Sequence, residues 1–141
     1  MKPNFSETKS ANVWIENGVI FIKCLPDSII TRKEAEQITA ERIRISNGTS
    51  HPVCMDIRSA KYITMDARQH LKQTGGMQFV SAYAFVVDSH VHNVIINYFL
   101  TINPPALPSV NASKKAAALN WLESYKTTEP ITTFSEKELV A

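Results

Sequence analysis

The chain has 141 residues, 44% hydrophobic and 20% charged, with 15 Lys+Arg against 13 Asp+Glu and a formal net charge of +2. That balance excludes a disordered, collagen-like or coiled-coil polypeptide, and near-neutrality offers no general attraction to nucleic acid or anionic membrane. No apolar run approaches the ~18 residues of a membrane span, so the composition describes one domain-sized core.

In chain order, residues 1–10 are polar and expected to be a flexible amino terminus. Val13-Trp14-Ile15-Glu16 and Val19-Ile20-Phe21-Ile22 flank Asn17-Gly18. Both turn residues tolerate positive φ, so the pattern predicts a hairpin, and its second strand, apolar on both faces, belongs inside a sheet. Leu25-Pro26-Asp27-Ser28 reads as a turn. Thr31 with Glu34 then fits a capping box, opening a helix with Ala35, Ile38, Ile43 and Ile45 on its apolar side. Arg32, Glu36, Gln37 and Glu41 are left for water, and Asn47-Gly48 ends the helix. Residues 52–57, PVCMDI, read as a buried parallel strand.

A second helix is capped by Thr64, runs through Leu71 and is expected to stop at Gly75-Gly76. The most strand-like segment is VSAYAFVV at 80–87, which ends at Asp88. Ser89 is placed to cap a third helix carrying Val91, Val94, Ile95, Tyr98, Phe99 and Ile102, which Asn103-Pro104-Pro105 terminates. A short extended piece at 107–110 leads to a last helix over 113–125, and residues 127–141 read as a loosely ordered tail. The order predicts an α/β fold: a mixed sheet, with an antiparallel hairpin at its amino end and parallel strands after it. About four helices pack mainly on one face. Residues 11–126 form a single domain on this reading, with no repeat or linker.

Ligands of open α/β sheets bind beyond the carboxyl ends of the strands. Those ends carry Asp56-Ile57-Arg58-Ser59 and Asp88-Ser89-His90-Val91-His92. If the two strands are neighbours, Asp56, Arg58, Asp88, Ser89 and His90 converge on one ligand-binding rim. His90 and His92 do not chelate one metal from a helix start, because residues two apart point about 200° apart. His51 and His70 stand alone and read as surface side chains. There is no GxSxG elbow, no GxxxxGK and no GxGxxG. The basic pairs Arg32-Lys33, Arg42 with Arg44, and Lys114-Lys115 are diluted by glutamates and make no nucleic-acid stripe. Cys24 and Cys54 sit in apolar runs and read as small buried thiols. No catalytic residue, metal or cofactor is assigned, and the lack of an apolar signal core suggests a cytoplasmic protein.

Several of these segments together resemble the SpoIIAA-like group of STAS-type domains, specifically its small bacterial members. The likeness covers most of residues 12–125. It rests on the hairpin, on Met55-Asp56-Ile57-Arg58 leading to a helix, on Asn97-Tyr98-Phe99-Leu100 before Asn103-Pro104-Pro105, and on Ala117-Ala118-Leu119-Asn120-Trp121-Leu122. In the best-known members a serine at the start of the helix after the strand–loop is phosphorylated, which switches binding to a partner kinase. The matching region here reads Tyr62-Ile63-Thr64-Met65-Asp66-Ala67; the usual Asp-Ser-Ser-Gly is absent and Met65 stands about where the serine would. Thr64 is the nearby hydroxyl and so the candidate phosphorylation site. The resemblance implies a non-enzymatic binding or regulatory domain working through protein–protein contacts, homodimerisation being one form of that contact. The hairpin and Trp14 are candidate contact surfaces. Two alternatives are a carrier for a small apolar ligand such as a lipid, walled by the third helix, and an enzyme using the Asp56/Arg58/Asp88/His90 rim.

Overall fold

The computed structural model describes residues 4–88 and 107–126. Asn17 and Gly18, at φ 52° and 78°, make the two-residue turn between β2 (Ala11–Glu16) and β3 (Val19–Cys24). That loop length sets the register, placing Trp14 opposite Phe21 and Ile15 opposite Ile20. β3 then pairs in parallel with β5 (His51–Asp56), β5 with β7 (Val80–Val86), and β7 with β8 (Ser109–Ala112). β1 (Phe5–Glu7) joins antiparallel to β2, giving a six-stranded sheet of order β1-β2-β3-β5-β7-β8. A flexible segment was expected at 1–10, but residues 5–7 form an edge strand. Three residues show no periodicity of their own; pairing with β2 is what orders them.

The strands β3, β5 and β7 succeed one another in one direction across the sheet, so right-handed crossovers put both connections on the same face. The first connection holds α1 (Arg32–Ser46) and the second α2 (Met65–Lys72) with the short α3 (Thr74–Met77). Ala35, Ile38, Ile45, Ala67 and Leu71 pack there against Ile20, Ile22, Val53, Met55, Tyr83 and Phe85. The helix α4 (Lys115–Leu122), extended by a 3-10 turn over Glu123–Tyr125, follows the last strand and lies on the other face. It buries Ala118 and Leu122 against Val19, Phe21, Cys54, Ala82 and Ala84. Alternate residues of β3 and β5 thus serve two cores, as period-two side-chain geometry requires. The mixed sheet, the amino-terminal hairpin and the parallel strands are as expected, and so is the capping box, in which the Thr31 N–H donates to Glu34 Oε1 at 3.1 Å.

Three local features differ from expectation. Arg42, read as half of a solvated basic pair, is 1% exposed. Its Nη1 donates to the Gln78 carbonyl at 2.6 Å and its Nη2 to the Gly76 carbonyl at 3.2 Å, while Tyr83 donates to that same Gly76 oxygen at 2.7 Å. These bonds hold the chain beside Phe79, whose φ of 61° is unusual for an aromatic residue. His70, read as a surface side chain, is buried and hydrogen-bonded to Thr39 Oγ1 at 2.9 Å. Gly75 and Gly76 do not stop α2; it ends at the extended Gln73, and both glycines lie inside α3. A Cβ on Gly76 would overlap the His70 carbonyl oxygen and come within 2.9 Å of Leu71 Cα, whereas Gly75 has nothing within 4 Å. The third helix expected from Ser89 and the tail at 127–141 lie outside the described residues.

Candidate functional site

β5 and β7 are neighbours, as the proposed rim requires. Asp56, the last residue of β5, is 8% exposed and takes a forked pair of bonds from Arg58. Nε reaches Oδ1 at 2.9 Å, Nη2 reaches Oδ2 at 2.7 Å, and the Arg58 backbone N–H adds a third bond to Oδ1 at 3.1 Å. Lys23, opposite Asp56 in the β3–β5 register, stands 3.6 Å from Oδ2. Burial works to raise the Asp56 pKa, but the hydrogen bonds and charges of Arg58 and Lys23 outweigh it and hold the carboxyl below its usual range. Asp56 in turn raises the pKa of Arg58, and Asp88, exposed two residues beyond β7, adds to that effect. Asp56 and Arg58 therefore meet, with Asp88 acting on the same guanidinium, while Ser89 and His90 lie outside the described residues.

The pair lines a cleft of about 200 Å3 on the α4 side of the sheet, together with Trp14, Phe21, Lys23, Cys54 and Lys115. Trp14 and Phe21 stack at 5.2 Å between centroids, Phe5 continues the row at 6.3 Å, and Lys115 Nζ sits 4.8 Å from the Phe21 ring centre. Of these lining residues the sequence points to Asp56 and Arg58 as rim residues and to Trp14 as a contact surface. The hairpin register carries a signal for Phe21 as well, because a two-residue turn at Asn17-Gly18 sets it against Trp14. Burial, with help from the Asp56 charge, pushes the Cys54 thiol up to about 11 and the Cys24 thiol up to about 12, so both stay protonated near neutral pH. Among the described residues no group of three or more His, Cys, Asp or Glu could hold a metal ion.

At the same end of the sheet, the loops after β3 and β5 form a second, two-stranded sheet from β4 (Ile29–Ile30) and β6 (Tyr62–Ile63). Ile30 and Ile63 face the core, which leaves their neighbours Ile29 and Tyr62 outside. Thr64 joins this lip to α2: its N–H donates to the Ile30 carbonyl at 3.0 Å, and its hydroxyl contacts that carbonyl, the Asp66 carboxylate and the Ala67 N–H. Thr64 is thus the helix cap that its position implied. A wider recess of about 610 Å3 lies at the opposite end of β5; it is open and lined largely by polar groups, among them Asn4, Asn17, Asn47, Thr49, His51 and Lys126.

A family model described as a domain of unknown function, DUF7793, matches residues 13–126. The chain belongs to this family. The DUF7793 match spans the sheet from within β2 through the turn that follows α4. Among solved structures, the domain is similar to an uncharacterised protein of the DUF3478 family from Shewanella loihica, described as having a SpoIIAA-like fold. The two share 15% sequence identity and a TM-score of 0.61, over 83% of this chain and 97% of the other. At that identity the likeness establishes the fold, and the fold is the SpoIIAA-like one the sequence resemblance implied. No curated protein matches the chain. Among the described residues no helix is long and apolar enough to cross a membrane.

Proposed function

We propose that this DUF7793 domain is a non-catalytic protein-binding module whose contact face is the lip of the small sheet. The observation that carries this reading is the exposure of Ile29, Tyr62 and Met65, at 50%, 43% and 63%. Ile29 and Tyr62 are register partners, and Met65 begins the helix that Thr64 caps beside them. Large apolar side chains left together on a small surface mark an interaction site more often than single exposed ones do. Arg68, over the Tyr62 ring at 5.9 Å, adds a cation at the margin of this face.

Further support comes from how the ionisable groups are employed. Asp56 is neutralised by Arg58, both thiols are held protonated, and His70 is buried against Thr39. Each has a packing or pairing role.

The test places a photo-crosslinking phenylalanine at position 65 of the full chain in cells of its own organism, with position 36 on the solvent side of α1 as control. The expected result is a discrete adduct from position 65 that disappears when Ile29 is changed to Asp. An adduct of twice the chain's mass makes the partner a second copy. Absence of any adduct, or the same adducts from both positions, refutes the reading.

A further inference from the structure

We infer that the cleft between β3 and the start of α4 binds a small organic anion, a flat apolar body carrying one carboxylate or phosphate group. This site lies on the opposite face of the sheet from α1 and α2, and it is independent of the protein-binding lip. The argument begins with charge. Three cations, Lys23, Arg58 and Lys115, line a recess whose lining holds one carboxylate, Asp56, and Asp88, outside the lining, also acts on Arg58, so the cations still outnumber the carboxylates by one. Asp56 is already saturated by Arg58, which engages Nε and Nη2 and leaves Nη1 without a partner among the described residues. Lys23 is half exposed and reaches Asp56 at only 3.6 Å, a long contact that leaves its ammonium available. Lys115 pairs with no carboxylate among the described residues; its ammonium lies over the Phe21 ring at 4.8 Å. A cation resting on an aromatic face keeps most of its attraction for an anion, because the ring supplies only a weak quadrupole.

Shape and polarity supply the second half. The remaining wall is apolar, made of the stacked Trp14–Phe21 pair and the Cys54 side chain, whose thiol stays protonated. At about 200 Å3 the cleft accommodates one ring with its ionic group, less than a drug-sized ligand or a lipid needs. An apolar wall with a few cations at one end is the arrangement that selects an amphiphilic anion over inorganic phosphate or a neutral ring.

The test follows the Trp14 indole N–H, which donates to Glu16 Oε1 at 3.3 Å, by two-dimensional NMR of the full chain. A Trp121→Phe variant distinguishes it from the other indole. The probes are phenyl phosphate, benzoate, inorganic phosphate and benzyl alcohol. The expected result is a saturable shift with phenyl phosphate or benzoate, whichever binds identifying the anion. Lys115→Gln weakens that binding about five- to tenfold, and Lys114→Gln, on an exposed residue outside the cleft, leaves it unchanged. No saturable shift, or equal binding by the two lysine variants, overturns the inference. Inorganic phosphate binding as tightly as phenyl phosphate overturns its apolar half, and benzyl alcohol binding as tightly overturns its ionic half. None of these outcomes depends on the crosslinking result at position 65.

Discussion

Replacing Arg42 with methionine keeps most of the buried hydrocarbon volume and removes the guanidinium, so the variant isolates what the charge contributes. In the native fold Arg42 gives two charge-assisted bonds to carbonyls, at 2.6 Å to Gln78 and 3.2 Å to Gly76. Gly76 keeps its bond from Tyr83 in the variant, whereas the Gln78 carbonyl loses its donor. Gln78 is exposed and its bond from Arg42 only part-buried, so water can take the donor's place; the loss is then that of a hydrogen bond to a charged group, about 1.5–3 kcal/mol. Release from burying an ion offsets part of the loss. The expected net destabilisation of Arg42→Met is therefore ~1–2 kcal/mol. Arg42→Ala adds a cavity beneath α1 and should cost ~3–5 kcal/mol in all. Unfolding entropy near 2.1 cal/mol/K per residue converts these to falls in Tm of ~3–7 °C and ~10–17 °C for a chain of this length. Arg44, exposed and paired with Glu41 at 3.0 Å, is the control: Arg44→Met should change stability by under ~0.5 kcal/mol. Urea unfolding with comparison of m-values, alongside calorimetry, measures all three. If Arg42→Met matches or exceeds the wild type, capture of the Gln78 carbonyl contributes nothing net. If Arg42→Ala behaves like Arg44→Met, the buried placement of Arg42 is wrong.

Three other outcomes follow from the ionisable groups and the caps. Burial first, then the charges of Arg32 and Arg42, holds the His70 pKa below its ordinary value of about 6.5. The unfolded chain therefore takes up that proton before the folded one does. Stability should fall as pH drops below ~6.5 and level off above it; His70→Gln should remove this part of the slope in unfolding curves at pH 7.5 and 5.5, and an unchanged slope counts against a neutral buried ring. Asp56→Asn deletes a charge that raises both thiol pKa values, so Cys54 should fall from about 11 and react faster with a thiol reagent at pH 9, judged against an identical rate–pH profile as the contrary result. Thr64→Ala should cost about 1 kcal/mol as a lost helix cap while Thr64→Ser restores most of it. Because its hydroxyl already contacts Asp66, whose carboxylate repels a phosphate, phosphopeptide mapping of native material should find Thr64 unmodified.

Much of this architecture could be read in advance because it rests on local signals. Asn17-Gly18 between two β-rich runs, the Thr31/Glu34 box, and the unbroken apolar runs PVCMDI and VSAYAFVV each carry their structure within a few residues. What escaped depends on residues far apart in the chain. β4 and β6 are two residues each, too short for any period, and exist because Ile29 meets Tyr62 and Ile30 meets Ile63. Arg42 and His70 carry the polar letters of a surface, and their carbonyl and hydroxyl partners 31 or more positions away are what permit burial. The candidate site divides along the same line. The i, i+2 spacing of Asp56 and Arg58 at a strand end pointed to the rim, but neutralisation of one by the other depends on the loop bending back. Lys115 reaches the cleft only because α4 crosses the second face of the sheet.

The adjacent glycines of α3 are chemically identical letters under unequal obligations. Gly75 borders open space, so alanine or serine there should be accepted by the fold and could even stiffen the turn. Gly76 is wedged against the backbone at the end of α2, where a single methyl would have to push two chain segments apart and drag with it the carbonyl that Tyr83 and Arg42 share. A saturation library across this dipeptide should therefore record near-neutral drift at one codon and strict depletion at the next.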